Sequence, residues 1–314
     1  MIPTLLLNPS FMQTILGANG IIAQELSKQL VSYTKQIRQV SRNPRKVNNT
    51  DELMKADLLN YDQTEKAVAG SEVVYLLAGL KYNSKVWQEQ WPKIMGNVID
   101  ACKKHNSKLV FFDNVYSYGL VKGPMTETTP FNPVSKKGEV RAQIATRLLD
   151  EVKNKNLNAL IVRAADFYGP NAALGIGNVM VTDKVEANKT PQWMGSTKKI
   201  HTMTYTPDAA KTVALLGNTL TAYNQTWHAL TSQEKITAED YIRMACELGQ
   251  QNYKVQTLPK LGVQLVSLFV PIMREFPEMM YQYEQDYIFD SSKFANAFNV
   301  EAISYREGIA ATLR

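Results

Sequence analysis

A glycine turn between an apolar strand and an amphipathic helix is the feature that most restricts the fold of this chain. The segment reads TILGANGIIA at residues 14–23. Gly17 permits a tight turn, Gly20 permits close approach of a phosphate to the backbone, and a helix starting at Ile21 directs its free N–H groups at the anion. Asn19 lies between the two glycines. The segment predicts a dinucleotide-binding turn, with an ordinary strand-to-helix turn as the alternative.

The rest of the first half alternates strands with helices. The predicted strands are 13–16, 36–40, 73–78, 108–112 and 158–163, and the predicted helices are 20–31, 62–69, 87–105 and 135–154. This pattern is typical of right-handed βαβ units, so we predict an α/β fold with a doubly wound parallel sheet and a smaller C-terminal substrate lobe.

The alternation breaks after residue 170, where prolines interrupt shorter elements. We therefore assign residues 12–170 to a dinucleotide-binding domain with returning segments near 200–232. Residues 171–314 are assigned mainly to the substrate lobe, interleaved with those returns.

Composition excludes several classes of partner and site. The chain has 314 residues and a formal net charge of +6, but its Lys and Arg are scattered and no basic run alternates with aromatics. We therefore predict no nucleic-acid partner. Cys102 and Cys246 are far apart and lack metal-ligand partners, which indicates no metal site and a reduced, cytoplasmic setting.

Two apolar stretches bear on membrane contact. The first, residues 1–11, lacks a basic n-region and a small-residue cleavage site, so we interpret it as an upstream start or a cloning remnant rather than a signal peptide. The second, residues 261–272, is too short to cross a bilayer. We predict it as a buried helix of the second lobe, with membrane or subunit contact as the alternative, and we predict no integral membrane segment.

The end of the second strand bears on the choice of cofactor. An NAD site usually offers a carboxylate there to the ribose hydroxyls, whereas this chain reads QVSRNPRK at residues 39–46, with no acid and three cations. We expect NADP(H) to be preferred and NAD(H) to be possible, with Arg42 as the main contact and Ser41 as a helper. A solvated basic loop is the alternative. Asp57 and Leu58 are predicted at the adenine edge, with a turn role for Asp57 as the alternative.

Motifs along most of the chain carry a family resemblance. They are the glycine turn, VVYLLAG at 73–79, NVIDAC at 97–102, YG at 118–119, RAADFYGP at 163–170 and YTPDAA at 205–210. Together they resemble the extended short-chain dehydrogenases/reductases of the NAD-dependent epimerase/dehydratase kind, over nearly all of residues 12–312.

The resemblance implies a Rossmann fold, NAD(P) at the C-terminal edge of the sheet and a small-molecule substrate between the lobes. It places Ala78 and Gly79 beside the nicotinamide and makes Tyr168 a cofactor contact. It is also compatible with a homodimer formed through two helices, one of them 135–154.

The catalytic positions depart from the family pattern of Ser or Thr followed by Tyr-x-x-x-Lys. Asn114 stands at the hydroxyl position, Lys137 at the tyrosine and Arg141 at the lysine, so this is an atypical member without the Ser-Tyr-Lys triad. Asn114 forms hydrogen bonds but shuttles no proton. Lys137 needs burial or cationic neighbours to titrate near neutral pH, and Arg141 stays protonated and is expected to hold a ribose hydroxyl or a substrate carboxylate.

Other side chains are candidates to replace the missing acid/base. Tyr116 is our first choice for a phenolic acid, with aromatic packing as the alternative. Asp113 is an alternative acid/base, or else a turn residue. His201 is either catalytic or structural, and Asp166 is expected to stabilise the loop in which it lies. The run 274–287, rich in Met and aromatics, is predicted as a lobe core or dimer helix, with an adaptable apolar binding surface as the alternative.

These observations leave three functions open. The main hypothesis is an NADP(H)-binding oxidoreductase that acts on a small, partly apolar carbonyl or conjugated substrate. The alternatives are a non-catalytic NAD(P)-binding sensor and a sugar-nucleotide epimerase or dehydratase with a non-standard site.

Overall fold

A computed structural model describes residues 11–313 of the chain. The first ten residues of the stretch interpreted above as an upstream start or cloning remnant lie outside the described residues. In chain order the strands are β1 (Met12–Leu16), β2 (Ile37–Ser41), β3 (Glu52–Lys55), β4 (Ser71–Leu76), β5 (Lys108–Asn114), β6 (Pro124–Met125), β7 (Ala159–Ala164), β8 (Asp166–Tyr168), β9 (Gln192–Met194), β10 (Met203–Tyr205), β11 (Thr226–His228), β12 (Gln256–Leu258) and β13 (Ile288–Phe289).

Helices connect most of these strands. They are α1 (Ile21–Leu30), α2 (Tyr61–Val68), α3 (Ser84–His105), α4 (Lys136–Lys153), α5 (Asp183–Glu186), α6 (Thr206–Gly217), α7 (Ala238–Leu248), α8 (Lys260–Phe269), α9 (Tyr281–Glu284), α10 (Ser292–Phe298) and α11 (Tyr305–Thr312). Short 3₁₀ turns include Tyr116–Tyr118, Pro271–Glu275 and Pro277–Met279, and a π-helical turn covers Asn178–Thr182.

The main sheet has seven parallel strands in the order β11, β7, β5, β4, β1, β2, β3. Helices cover both of its faces, so its central strands are largely buried, and residues 73–76 of β4 are fully buried. The predicted doubly wound parallel α/β fold is confirmed. The strand order reverses between β4 and β1, which is where ligands bind in open sheets of this type.

The two faces of the sheet have different helical layers. One face packs α2, α3 and α4 around a core that contains Trp91, and the other packs α1 against α6 over a core that contains Trp227. Because α6 and β11 belong to the segment 206–228, the chain returns to this domain after leaving it near residue 170.

The second lobe has its own core. It combines α7, α11, the β8–β10 pair and the β9–β12 pair around Tyr168, Trp193 and Tyr241. Residues 271–287, here called the C-terminal strap, leave this lobe and pack against the starts of α3 and α4. The strap therefore closes the cleft between the lobes at the C-terminal edge of the sheet.

The predicted elements of the first domain correspond to observed ones with small shifts of their ends. Strands β3, β6 and β8 are observed but were not predicted. Strand β3 is an edge strand with the sequence ELMK, mostly exposed and without an apolar pattern, and β6 and β8 have only two and three residues. The prediction of a buried helix over 261–272 is wrong. Helix α8 is present, but Val263 is its single buried residue. No helix among residues 11–313 is both long and apolar enough to cross a membrane.

Candidate active site

The glycine turn has the backbone geometry that its sequence predicts. Gly17 has φ +94°, and a Cβ at this position would overlap the backbone of Ala78. The N–H groups of Gly17 and Ala18 both donate to the Val40 carbonyl, at 2.9 and 3.0 Å. The turn after β1 is thus fixed between the ends of β2 and β4, and a side chain at Gly17 would force these strands apart.

The start of α1 is open to an anion. Its N-cap is Gly20, and within residues 11–313 no side chain caps it and its first turn has no acid. The N–H groups of the first turn therefore have no internal acceptor, as a pyrophosphate site requires. Gly79, at the end of the loop after β4, adjoins open space. The uncapped helix start at Gly20 and Ile21 and the open backbone at Gly79 fit a dinucleotide, and the contacts predicted for Gly20, Ile21, Ala78 and Gly79 stay predictions.

Asn19 braces the loop that follows β2. It adopts φ +80°, its amide donates to the Asn43 carbonyl at 2.7 Å and to Ser41 Oγ at 3.3 Å, and its Oδ1 accepts from the Arg45 N–H at 3.2 Å. Arg42 is exposed, and no acid among the described residues pairs with it. The glycine turn and the basic loop are consequently one rigid unit with a free guanidinium at its edge.

Asp57 and Leu58 lie beyond β3. Asp57 is exposed, and its carboxylate accepts from the Leu59 N–H at 3.0 Å, which is the turn role that we kept as the alternative. Leu58 is buried, and its carbonyl accepts from Asn97 Nδ2 at 2.8 Å. This bond ties the turn to α3 at the adenine side of the crevice.

Lys137, at the family's tyrosine position, is fully buried in an ion cluster. Its Nζ lies 2.6 Å from Glu278 Oε1 and 2.8 Å from Glu275 Oε2, and 4.6 Å above the ring of Tyr82. Burial raises the pKa of Glu275, but hydrogen bonds from Lys137 and Ser84 outweigh it and leave the pKa lowered. Lys137 is therefore buried, but its neighbours are the strap carboxylates that bind its ammonium group, and a catalytic role for it stays a prediction.

Arg141, at the family's lysine position, is enclosed as well. Its guanidinium carbon lies 4.1 Å from the ring of Trp91 and 4.7 Å from that of Trp87, and its Nη1 lies 3.3 Å from Asp113 Oδ1. The other oxygen of Asp113 pairs with Arg163 Nε at 3.3 Å. Asp113 is the shared counter-ion of two buried arginines rather than an acid/base. The indoles and this ion pair enclose the guanidinium of Arg141, but its Nε and Nη1 have no hydrogen-bond partner among the described residues, and contact with a ribose hydroxyl or a substrate carboxylate stays a prediction.

Asn114 and Tyr116 lie at the end of β5. The side-chain oxygen of Asn114 accepts from the Tyr116 N–H at 3.0 Å and so starts the following turn. The Tyr116 ring stacks on Trp87 at 6.2 Å, and its hydroxyl lies beside that of Tyr82. Burial raises the pKa of Tyr116 well above its ordinary value, and Tyr82 and Asp166 raise it further. Its phenol stays neutral and supplies a proton only to a strongly basic oxygen.

Asp166 and His201 form a pair that the sequence does not reveal. Asp166 opens β8, and His201 precedes the parallel partner β10, which brings His201 Nε2 to 2.9 Å from Asp166 Oδ2. The imidazole is stacked between Tyr283 at 5.1 Å and Tyr287 at 4.7 Å, with Trp193 edge-on at 5.2 Å. The His201 side chain is 2% exposed and that of Asp166 15% exposed, so the carboxylate is the more accessible partner.

Tyrosines from both lobes surround this carboxylate. The tyrosine cluster consists of Tyr82, Tyr116, Tyr281, Tyr283 and Tyr287, and the charge of Asp166 acts on each of them. Burial raises the pKa of every member, and the negative charge of Asp166 raises it again. All five phenols are therefore neutral hydrogen-bonding groups around one carboxylate.

Tyr168 does not line the cleft. Its ring is 1% exposed, stacks on Tyr305 at 5.5 Å and meets Tyr241 edge-on at 5.6 Å. The expectation that Tyr168 contacts the nicotinamide is corrected, because the pairing of β8 with β10 directs this ring into the second-lobe core.

His228 belongs to a buried network that extends from Arg163. Arg163 Nη1 donates to the Tyr118 hydroxyl at 2.9 Å, this hydroxyl lies 2.9 Å from His228 Nε2, and His228 Nδ1 lies 2.6 Å from the Asp290 carbonyl. Burial lowers the pKa of His228 to about 3. The imidazole is therefore neutral, with Nδ1–H as donor and Nε2 as acceptor.

Acid is expected to destabilise the protein through His228. The ordinary pKa is 6.5 and the folded value about 3, so the contribution to stability is complete above 6.5 and is lost as the pH falls toward 3. At about pH 5 the loss is ~2 kcal/mol relative to neutral pH. Urea unfolding of the wild type and of His228→Gln at both pH values measures it. The free energy of unfolding of the variant should differ between the two pH values by ~2 kcal/mol less than that of the wild type. An equal difference in both proteins would contradict a buried, neutral His228.

Sequence reasoning missed the partners that determine this site. It considered His201 and Asp166 separately, and it did not identify Tyr82, Glu275 or Glu278 as site residues. The carboxylates lie 138 and 141 residues after Lys137, so no local pattern connects them. The one available signal was the density of tyrosines and acids in the run 274–287.

Comparison with known proteins agrees with this geometry. The profile of the NAD dependent epimerase/dehydratase family matches residues 14–225, more than half of the chain, and the protein therefore belongs to that family. Comparison with curated proteins gives no match.

Solved structures of sugar-nucleotide enzymes have the same fold. UDP-glucose 4-epimerase of Thermus thermophilus, in complex with NAD, is 16% identical with a TM-score of 0.78, covering 96% of this chain and 98% of that one. The UDP-N-acetylglucosamine 4-epimerase of Methanobrevibacter ruminantium M1 is also 16% identical with a TM-score of 0.78, covering 98% of both chains. A dTDP-glucose 4,6-dehydratase of Streptomyces venezuelae is 13% identical with a TM-score of 0.77, and the match covers 97% of this chain and 96% of that one.

Proposed function

We propose that this protein is an NAD(P)-dependent enzyme of the sugar-nucleotide epimerase or dehydratase type with a non-standard proton-transfer group. The family membership and the full-length likeness to sugar-nucleotide enzymes support this function over a reductase of small carbonyls. The observation that carries it is the carboxylate of Asp166, held by His201 at the cleft between the lobes.

The position of Asp166 suits proton transfer. Strands β4, β5 and β7 are neighbours, so Gly79, Asn114 and Asp166 follow adjacent strands at one edge of the sheet. A bound nicotinamide supplies a hydride acceptor and donor. The chain must then accept the proton that leaves a substrate hydroxyl, and Asp166 is the partly exposed carboxylate at that edge.

His201 holds the carboxylate in place. Its imidazole is fixed by stacking on Tyr283 and Tyr287, and it binds one oxygen of Asp166. The Tyr283 hydroxyl is also hydrogen-bonded to the Asp166 carboxylate. We assign Asp166 as the proton acceptor and His201 as its positioning residue.

The tyrosine cluster fits a polyhydroxylated ring. Neutral phenols donate to and accept from hydroxyl groups, and their rings pack on the apolar faces of a sugar. Tyr281, Tyr283 and Tyr287 of the cluster belong to the strap, whereas the other two tyrosines belong to the cofactor domain. A sugar bound at the cluster would therefore contact both parts of the protein. This supports a sugar substrate rather than a small apolar carbonyl compound.

A turnover assay tests the proposal. The purified protein is incubated with NAD⁺ or NADP⁺ and with UDP-glucose, UDP-N-acetylglucosamine or dTDP-glucose, and the sugars are followed by NMR while cofactor absorbance is recorded. We expect at least one sugar to be converted to an epimer or a keto-deoxy product. Tight cofactor binding without conversion of any of them would contradict the proposal.

The basic loop after β2 supports a preference for NADP(H). Arg42 is exposed and unpaired among the described residues, and Ser41, to which Asn19 is bonded, stands where NAD sites usually have an acid. A 2′-phosphate would meet a free guanidinium on a braced loop.

Arg42→Ala is expected to weaken NADPH binding by about 10- to 100-fold and to leave NADH binding unchanged, because a charge-assisted bond to the 2′-phosphate is lost. Titration of nucleotide fluorescence measures both affinities. Lys66→Ala, which removes an exposed cation on α2, is the matched control and should change neither. Equal NADPH affinity in Arg42→Ala and wild type would refute the assignment.

A non-catalytic NAD(P) sensor is the second candidate. It is favoured by the enclosure of Lys137 and Arg141, because both groups at the family's catalytic pair are bound to internal carboxylates. The same assay separates the two functions, since a sensor binds the nucleotide and converts none of the sugars.

A further inference from the structure

Helix α8 presents an apolar face to solvent. We call its outer residues the α8 face, and they are Leu261 at 67% exposure, Leu265 at 56%, Leu268 at 64%, Phe269 at 82% and Ile272 at 48%. Their spacing of 4, 3, 1 and 3 residues puts them on one side of the helix and of the turn that follows. Burial of such side chains is favourable, so this face is costly to leave in water.

The α8 face is held in this exposed arrangement by contacts at both ends. The preceding strand β12 pairs with β9, and Val263 is buried in the second-lobe core. At the far end, Arg274 donates to the carbonyls of Ser267 and Leu268 at 3.2 and 3.4 Å. The helix is thus anchored on one side with its apolar side directed outward.

Two cations bracket the α8 face. They are Lys260 and Arg274, and residues 261–273 contain no charged side chain. Lys260 Nζ lies 3.7 Å from Glu284 Oε2, so the free positive charge is at the Arg274 end. A cleft of about 550 Å³ beside it is lined by Arg274, Lys85 and Lys136.

The acids of this cleft are engaged by the protein itself. Glu275 binds Lys137, Asn83 and Ser84, and Glu278 binds Lys137 and the Lys136 N–H. The cations that remain, Lys85, Lys136 and Arg274, therefore determine the charge presented beside the apolar face.

We propose that the α8 face docks on the surface of an anionic membrane. Its apolar side chains would lie among the upper acyl chains, and Arg274, Lys85 and Lys136 would meet lipid phosphates. The ten-residue helix is about 15 Å long, which suits a position in the plane of the surface rather than across the bilayer.

A second copy of this chain is a poorer occupant of the face. In a two-fold symmetric dimer the same patch meets itself, so the cationic rim of one copy would face that of the other. Like charges at an interface oppose association, whereas lipid phosphates neutralise them. This inference uses none of the residues that carry the proposed enzyme function.

Vesicle flotation of the full-length protein tests the proposal. The vesicles are equal parts of phosphatidylcholine and phosphatidylglycerol, compared with phosphatidylcholine alone. We expect binding to the anionic vesicles, at least about tenfold weaker binding to the zwitterionic ones, and weakening by added salt. The double variant Leu265→Glu with Phe269→Glu should lose at least about tenfold in binding.

The control variant is Leu174→Glu, which changes a 90% exposed leucine far from α8 in sequence and should bind as the wild type does. Circular dichroism melting confirms that each variant is folded. Equal binding by the double variant and the wild type, or no binding to anionic vesicles, would overturn the proposal. The proposal would also be overturned if light scattering showed that the wild type is a dimer, that the double variant is a monomer, and that the wild type does not bind vesicles.

Discussion

Asp166→Asn is expected to lower kcat about 10²- to 10⁴-fold on any nucleotide sugar that the wild type converts, with NADPH affinity unchanged. Asparagine preserves the shape of the side chain but accepts no proton, and general acid/base groups contribute an effect of this size. Single-turnover kinetics with the loaded enzyme measures the chemical step, and fluorescence titration measures the nucleotide. Asp100→Asn, on the exposed side of α3, is the matched control.

The role of His201 gives a separate test of the same assignment. His201→Phe keeps an aromatic ring between Tyr283 and Tyr287 but removes the bond to Asp166, so we expect kcat to fall about tenfold at constant KM. His201→Gln retains an N–H donor and should recover most of the loss. Wild-type turnover in Asp166→Asn would show that the proton acceptor lies elsewhere.

The second large effect is expected from Asp113→Asn, which should lower the free energy of unfolding by about 3–5 kcal/mol. The change leaves Arg141 and Arg163 buried with no shared counter-ion, and uncompensated buried charges carry a cost of this size. Urea denaturation followed by circular dichroism measures the difference.

A double variant distinguishes this charge effect from a general loss of packing. Adding Arg141→Met to Asp113→Asn removes one of the uncompensated charges and should recover part of the lost stability. Asp100→Asn should stay within about 0.5 kcal/mol of the wild type. A loss below about 1 kcal/mol in Asp113→Asn would indicate that water or another group already satisfies the arginines.

Local patterns were sufficient for the cofactor domain. The turn at residues 14–23 and the apolar runs of β4, β5 and β7 predicted the parallel sheet because each signal lies within one strand, turn or helix start. The absence of the triad, inferred from the identities of Asn114, Lys137 and Arg141, stays a prediction.

Contacts between distant segments determined the environment of those residues. Nothing near Lys137 in the sequence indicates that Glu275 and Glu278 bind its ammonium group, and nothing near Tyr168 indicates that its ring lies in the second-lobe core. The exposure of α8 is a similar case, because an apolar pattern predicts a buried face without showing which surface covers it.

The sequence by itself therefore determined the parallel α/β fold and the glycine turn after β1, since these depend on local backbone conformation and residue identity. Only the tertiary structure determined that Asp166 and His201 form a pair inside a cluster of tyrosines. They meet because β8 and β10 lie side by side while the strap folds over them, and such proximity depends on chain topology rather than on spacing in the sequence.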